Sequence, residues 1–179
     1  MHDPLNHSPV DWTELARSVG TLREDGSEHG SSIIALEAIV AIIGSANLCA
    51  AVDHYIAHKP GAELARFVLW RLHPWCAMER CYELYLNADD PDVRCTAVEL
   101  LRVVADRRAL PWIRRFLEDP DPGIQTWGAG IVDQLLWSDL IEPAECEDLL
   151  LMMVNHSNEQ VRDRHLFVLE YLTAREQSI

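Results

Sequence analysis

The chain has 179 residues, 49% of them apolar and 25% charged, which is enough for one domain with a sizeable core. Its formal charge of -14, from 29 acidic against 15 basic residues, repels nucleic-acid phosphate and anionic lipid and attracts cationic proteins. Neither nucleic acid nor a membrane is therefore the expected partner. Five cysteines (Cys49, Cys76, Cys81, Cys95 and Cys146) are odd in number and widely spaced, which excludes a disulfide framework and predicts reduced thiols in a cytoplasmic protein.

In chain order, MHDPLNHSPVDW lacks the basic start and apolar run of a secretory leader, so no export is expected. Ser8 and Pro9 predict the cap and first turn of a helix over 8–19, faced by Trp12, Leu15, Ala16 and Val19. Gly20, Gly26 and Gly30 mark 20–31 as a flexible link. Residues 33–52, IIALEAIVAIIGSANLCAAV, have the length of a bilayer span and one charge, Glu37. Gly44, Ser45 and Asn47 read as a helix stop and a new cap, and no basic cluster flanks the segment, so two buried helices are expected instead.

From here the chain repeats itself. Val93, Ala97, Leu100, Leu101 and Val104 superpose in spacing on Val161, His165, Val168, Leu169 and Leu172. Those intervals describe one face of an amphipathic helix. Ile124, Gly128, Ile131, Val132 and Leu135 fit the same template. Leu64, Val68 and Leu72 fit it less completely, and Ser32, Leu36, Ile39, Val40 and Ile43 read as the earliest copy. Asp90 before Pro91 and Asp121 before Pro122 supply N-caps followed by a proline in the first turn. Second helices are expected at Asn47 to Ala57, Trp75 to Asn87, Ala109 to Leu117 and Pro143 to Asn155.

A period near thirty residues without strand-like alternation predicts an all-α solenoid, because each helix pair leaves a face uncovered until the next lies on it. The expected architecture is a single α-solenoid domain over 1–179. It holds about four and a half repeats plus an N-terminal capping helix, as stacked antiparallel helical hairpins at 32–59, 60–88, 89–119 and 120–156 with a terminal helix at 157–176.

The stretch DPDVRCTAVELL, with Asp90, Val93, Arg94, Ala97, Leu100 and Leu101, resembles the HEAT-repeat family, including the short repeats of phycobilisome-lyase-like proteins. Val161 and Arg162 repeat the valine-arginine pair, whereas Ile124-Gln125 and Leu64-Ala65 depart from it. The resemblance covers residues 60 to 175. It implies a scaffold or binding surface, with a few enzymes among its members. Free-standing acidic HEAT-like proteins are similar to bacterial immunity proteins that neutralise a basic cognate toxin. That resemblance implies the most concrete function, with a generic assembly scaffold or a bilin-lyase-like chaperone as the alternative.

Signals for chemistry are sparse. HEAT-like metal hydroxylases carry His-Glu dipeptides, and no His precedes a Glu here. His54 and His58 have the four-residue spacing of helix-borne metal ligands, with Asp53 adjacent but no evident third ligand, so no metal and no cofactor are expected. Cys76 and Cys81, near His73, lack zinc-knuckle spacing and read as core or interface thiols. The sequence GAG at 128–130 reads as a packing notch. Trp112 beside Arg114 and Arg115 is the one fragment resembling the basic channel of a HEAT-like DNA glycosylase, and the net charge opposes that reading.

Charge distribution gives the candidate partner surface. No lysine or arginine falls between Arg115 and Arg162, where ten acidic residues lie, whereas five arginines crowd residues 102–115. A one-sign field of this kind speeds capture of a cationic protein, such as a toxin domain, and rejects most others. The expected contact residues are Glu118, Asp119, Asp139, Glu142, Glu145, Glu147 and Asp148, with Trp137 as the aromatic anchor at the longest connection. No catalytic residue is expected.

Overall fold

A computed structural model of the chain describes residues 10–176. Among these residues the chain is helical and forms no strand. The helices are α1 (Trp12–Ser18), α2 (Ser32–Ile43), α3 (Ser45–Ile56), α4 (Ala62–Leu72), α5 (Trp75–Asn87), α6 (Pro91–Val104), α7 (Leu110–Leu117), α8 (Pro122–Trp137), α9 (Glu147–Val154) and α10 (Glu159–Glu176). Short 3₁₀ turns at Arg107–Ala109 and Pro143–Glu145 lead into α7 and α9, so Pro143 opens a 3₁₀ turn and not the α-helix expected there.

The two proline-started helices begin where their caps require. The Asp90 carboxylate accepts from the Asp92 amide at 2.9 Å, and the Asp121 carboxylate accepts from the Gly123 amide at 2.7 Å. Helix α1 opens at Trp12 on an Asp11 cap that accepts from the Thr13 and Glu14 amides. Ser8, expected in that role, lies outside the described residues.

Helices α4, α6, α8 and α10 lie side by side as one layer, and α3, α5, α7 and α9 form the other. The core between them is apolar and dry, with Val52, Leu69, Met78, Leu101, Ile113, Phe116, Ile131, Leu135 and Met153 fully buried. The most extensive antiparallel packing joins α3 to α4, α5 to α6, α7 to α8 and α9 to α10. Boundaries drawn from periodicity at residues 60, 89 and 120 fall inside these pairs. Periodicity marks the buried face of a helix but not the neighbour that covers it.

Two details explain the spacing of the layers. At Gly128 an added Cβ would stand 2.6 Å from Cβ of Phe116, so the missing side chain lets α8 approach α7. Between α5 and α7 the gap is filled by rings: Tyr82 stacks on Trp112 with centroids 4.5 Å apart, Trp75 on Trp112 at 5.4 Å, and Tyr85 meets Phe116 edge-on at 4.8 Å.

Three expectations are corrected at the N-terminal side. Helix α2 is not a stacked first copy: it bends 82° from α3 at Gly44, whose φ of +81° a residue with a Cβ rarely adopts, and none of its residues is buried. The link at 20–31 is structured as a tight turn, with an antiparallel bridge between Leu22 and Glu28 and Arg23 N–H donating to the Ser27 carbonyl at 3.0 Å. Helix α3 ends at Ile56, and His58 adopts φ +49° beyond it, so His54 and His58 do not share a helix face. Among the described residues no single helix is long and apolar enough to cross a membrane.

Candidate protein-binding surface

The surface is built at the C-terminal end of α8. Ile141 and Cys146, both buried, pin the connection that follows, and the Leu140 amide donates to the Leu135 carbonyl at 2.9 Å. Held by these anchors, Trp137 stays 55% exposed while its ring packs on α10, with centroids 4.8 Å from Tyr171 and 5.9 Å from Phe167. Beside it Asp139 stands at φ +53° and pairs with Arg175 at 2.8 Å, and Glu142 reaches the same guanidinium at 3.9 Å. Trp137, Asp139 and Glu142 thus form one exposed corner. Phe167, Tyr171 and Arg175, which complete it, went unnoticed in the sequence, although their four-residue intervals trace an α10 stripe separate from the core face.

The remaining acidic candidates lie elsewhere. Glu145 pairs with Arg107, and its side chain also accepts from the Glu142 amide at 2.9 Å. That amide first, and then Arg107, holds the Glu145 carboxyl below its usual range. Asp148 meets Arg114 at 2.7 Å, and Glu118 approaches the same arginine at 4.0 Å. Glu147 is exposed in the first turn of α9, where its charge complements the helix dipole.

Asp119 is not a surface group. It is 6% exposed and accepts from the Tyr85 hydroxyl at 2.8 Å, from Arg94 at 3.0 Å and from the Asp121 amide at 2.9 Å. Such a carboxylate ties α5, α6 and the start of α8 together.

The acidic interval and the arginine-rich unit before it do not form separate poles, because adjacent repeats bring them into contact. The ten carboxylates between Arg115 and Arg162 meet five arginines, namely Arg94, Arg107, Arg114, Arg164 and Arg175. The surface therefore stays anionic but is laced with cations. Exposed pairs of this type are worth roughly 0–1 kcal/mol each, so an incoming cation can exchange with them at little cost.

Side chains that could carry chemistry are committed to structure. The ring Nε2 of His54 bonds the Pro60 carbonyl at 2.9 Å, Nδ1 of His73 the Val104 carbonyl at 3.0 Å, and Nε2 of His156 the Leu117 carbonyl at 2.8 Å. All five cysteines are free. Burial pushes the Cys146 thiol up to about 11 and raises those of Cys49, Cys81 and Cys95, which disfavours the reactive thiolate. Among the described residues no cluster of three or more metal-ligating side chains occurs.

A family model described as HEAT repeats matches residues 79–170, from within α5 to within α10. No curated protein and no solved structure matches the chain. The matched span is half of the sequence and coincides with the regularly stacked part of the two layers. With that stack and that match together, the chain belongs to the HEAT-repeat family, whose members are in general non-catalytic protein-interaction scaffolds.

Proposed function

We propose that this chain is a non-enzymatic binding module that captures a cationic protein at the corner made by Trp137, Asp139 and Glu142. The observation that carries the reading is the exposed Trp137 ring, backed by Tyr171 and Phe167 and flanked by two carboxylates that share a single guanidinium. An aromatic anchor held rigid by its neighbours loses little entropy on docking. The surrounding charge favours a basic surface opposite it. Glu118, Glu145, Glu147 and Asp148 extend the anionic field around α9 and steer the approach.

In its most concrete form the module is an immunity protein. It occludes a basic toxin domain, with carboxylates standing where the substrate phosphates of that toxin would lie. A photo-crosslinking residue placed at position 137 identifies the partner in native cells, and titration of the purified partner then measures affinity. The proposal expects a basic protein whose affinity falls by about tenfold or more with Trp137→Ala. Co-expression of the chain should also relieve that protein's toxicity. An acidic partner, or unchanged affinity with Trp137→Ala and with Asp139→Lys, would defeat the reading.

A further inference from the structure

We propose a second binding site on the opposite chemistry: the seam between α4, α6 and α8 takes a peptide segment of a protein partner that presents a carboxylate beside a bulky apolar side chain. Among the described residues, the buried side-chain nitrogens without a hydrogen-bond partner are Nε of Arg66 and Nε of Arg102. Buried donors are nearly always satisfied, so two orphans on neighbouring helices call for an acceptor supplied from outside.

The surroundings select that acceptor. Arg102 lays its stem on Gly130, where an added Cβ would stand 2.9 Å from its Cδ, and its guanidinium lies 5.8 Å from the centre of the Trp127 ring. No carboxylate pairs with it. Glu99 instead accepts the Tyr55 hydroxyl at 2.8 Å, and Asp133 takes Arg164 at 3.1 Å. Arg66 reaches only Glu63 with its terminal nitrogen, at 3.2 Å. The positive charge on Arg102 is therefore uncompensated in a chain of net charge -14. Burial first, and then repulsion from Arg164, disfavours that charge, and an anion brought alongside relieves both.

Size and lining complete the argument. A cavity of about 170 Å³ opens in this seam, lined by Arg66, Phe67, Trp70, Val103 and Gln134. Small-molecule sites usually hold roughly 300–1,000 Å³, so the space suits one side chain of a peptide better than a free cofactor. Phe67 and Trp70 are exposed at its rim and offer the apolar half of the contact, while Gln134 offers an amide. Nucleic acid would bring a phosphate with every nucleotide against the net negative charge, whereas a peptide brings one carboxylate. The site does not depend on the Trp137 corner, and its test leaves that corner untouched.

The probe is a synthetic nine-residue peptide with Leu-Glu-Phe at its centre, compared with versions carrying glutamine or lysine in place of the glutamate and with an oligothymidylate. The readout is the arginine Nε–H spectrum of the full chain together with titration affinity. Binding of the glutamate peptide should shift the Arg66 and Arg102 resonances, and it should be at least about tenfold tighter than binding of the glutamine peptide. Arg102→Met, which keeps the apolar stem over Gly130, should remove that preference, with thermal melting as the check on folding. Equal binding of the two peptides by the unaltered chain, no binding by either at millimolar concentration, or tighter binding of the oligothymidylate would overturn the proposal.

Discussion

Single side chains settle how closely the helices approach and which charges are free. Gly128 belongs to the first kind, because its Cβ would sit 2.6 Å from that of Phe116. Gly128→Ala should therefore lower stability by about 1–3 kcal/mol in urea unfolding, although alanine favours a free helix. An increase in stability would show that the layers can part without cost. Asp119 belongs to the second kind. Its acid group is spent on Tyr85, Arg94 and the Asp121 amide. Asp119→Asn should cost about 1–3 kcal/mol, the lower part of the range for a buried pair because Arg94 is a third exposed. A double-mutant cycle with Tyr85→Phe should give non-additive losses, and strict additivity would mean that the two do not interact.

At the scale of the element, His165 occupies a core position of α10 that hydrophobic side chains take in the other copies. Burial holds its imidazole below the usual histidine pKa of 6.5. The unfolded chain then gains a proton before the folded one does. Stability is kept above pH 6.5 and declines as the pH falls through that value towards the lower folded pKa. His165→Leu should flatten this decline between pH 7.5 and 5.5, and an unchanged slope in chemical denaturation would assign the acid limb to other groups. Most helices from α5 onward were legible in the sequence, because Asp90-Pro91 and Asp121-Pro122 announce starts and the apolar intervals announce faces. The orientation of α2 was not: its run of isoleucines looks like a core helix, and only Gly44, read as a stop, hinted at the 82° bend. The aromatic corner was half legible. Trp137 stands at a visible helix end, but Phe167, Tyr171 and Arg175 reach it through tertiary packing that local pattern does not encode.

Across the whole molecule, HEAT repeats give a stack of two helical layers with its loops and helix faces free to bind. The net charge survives folding, since internal ion pairs redistribute it without changing its sum. The Trp137 corner is surrounded by that field, and the Arg102 seam is a local exception to it. The most direct test of cationic capture at the corner is the rate of association with the partner, measured by stopped flow as ionic strength rises. The association rate constant should fall steeply between low and physiological salt, and Asp139→Lys should lower it further at low salt while dissociation changes less. An association rate indifferent to both salt and Asp139→Lys would contradict the account.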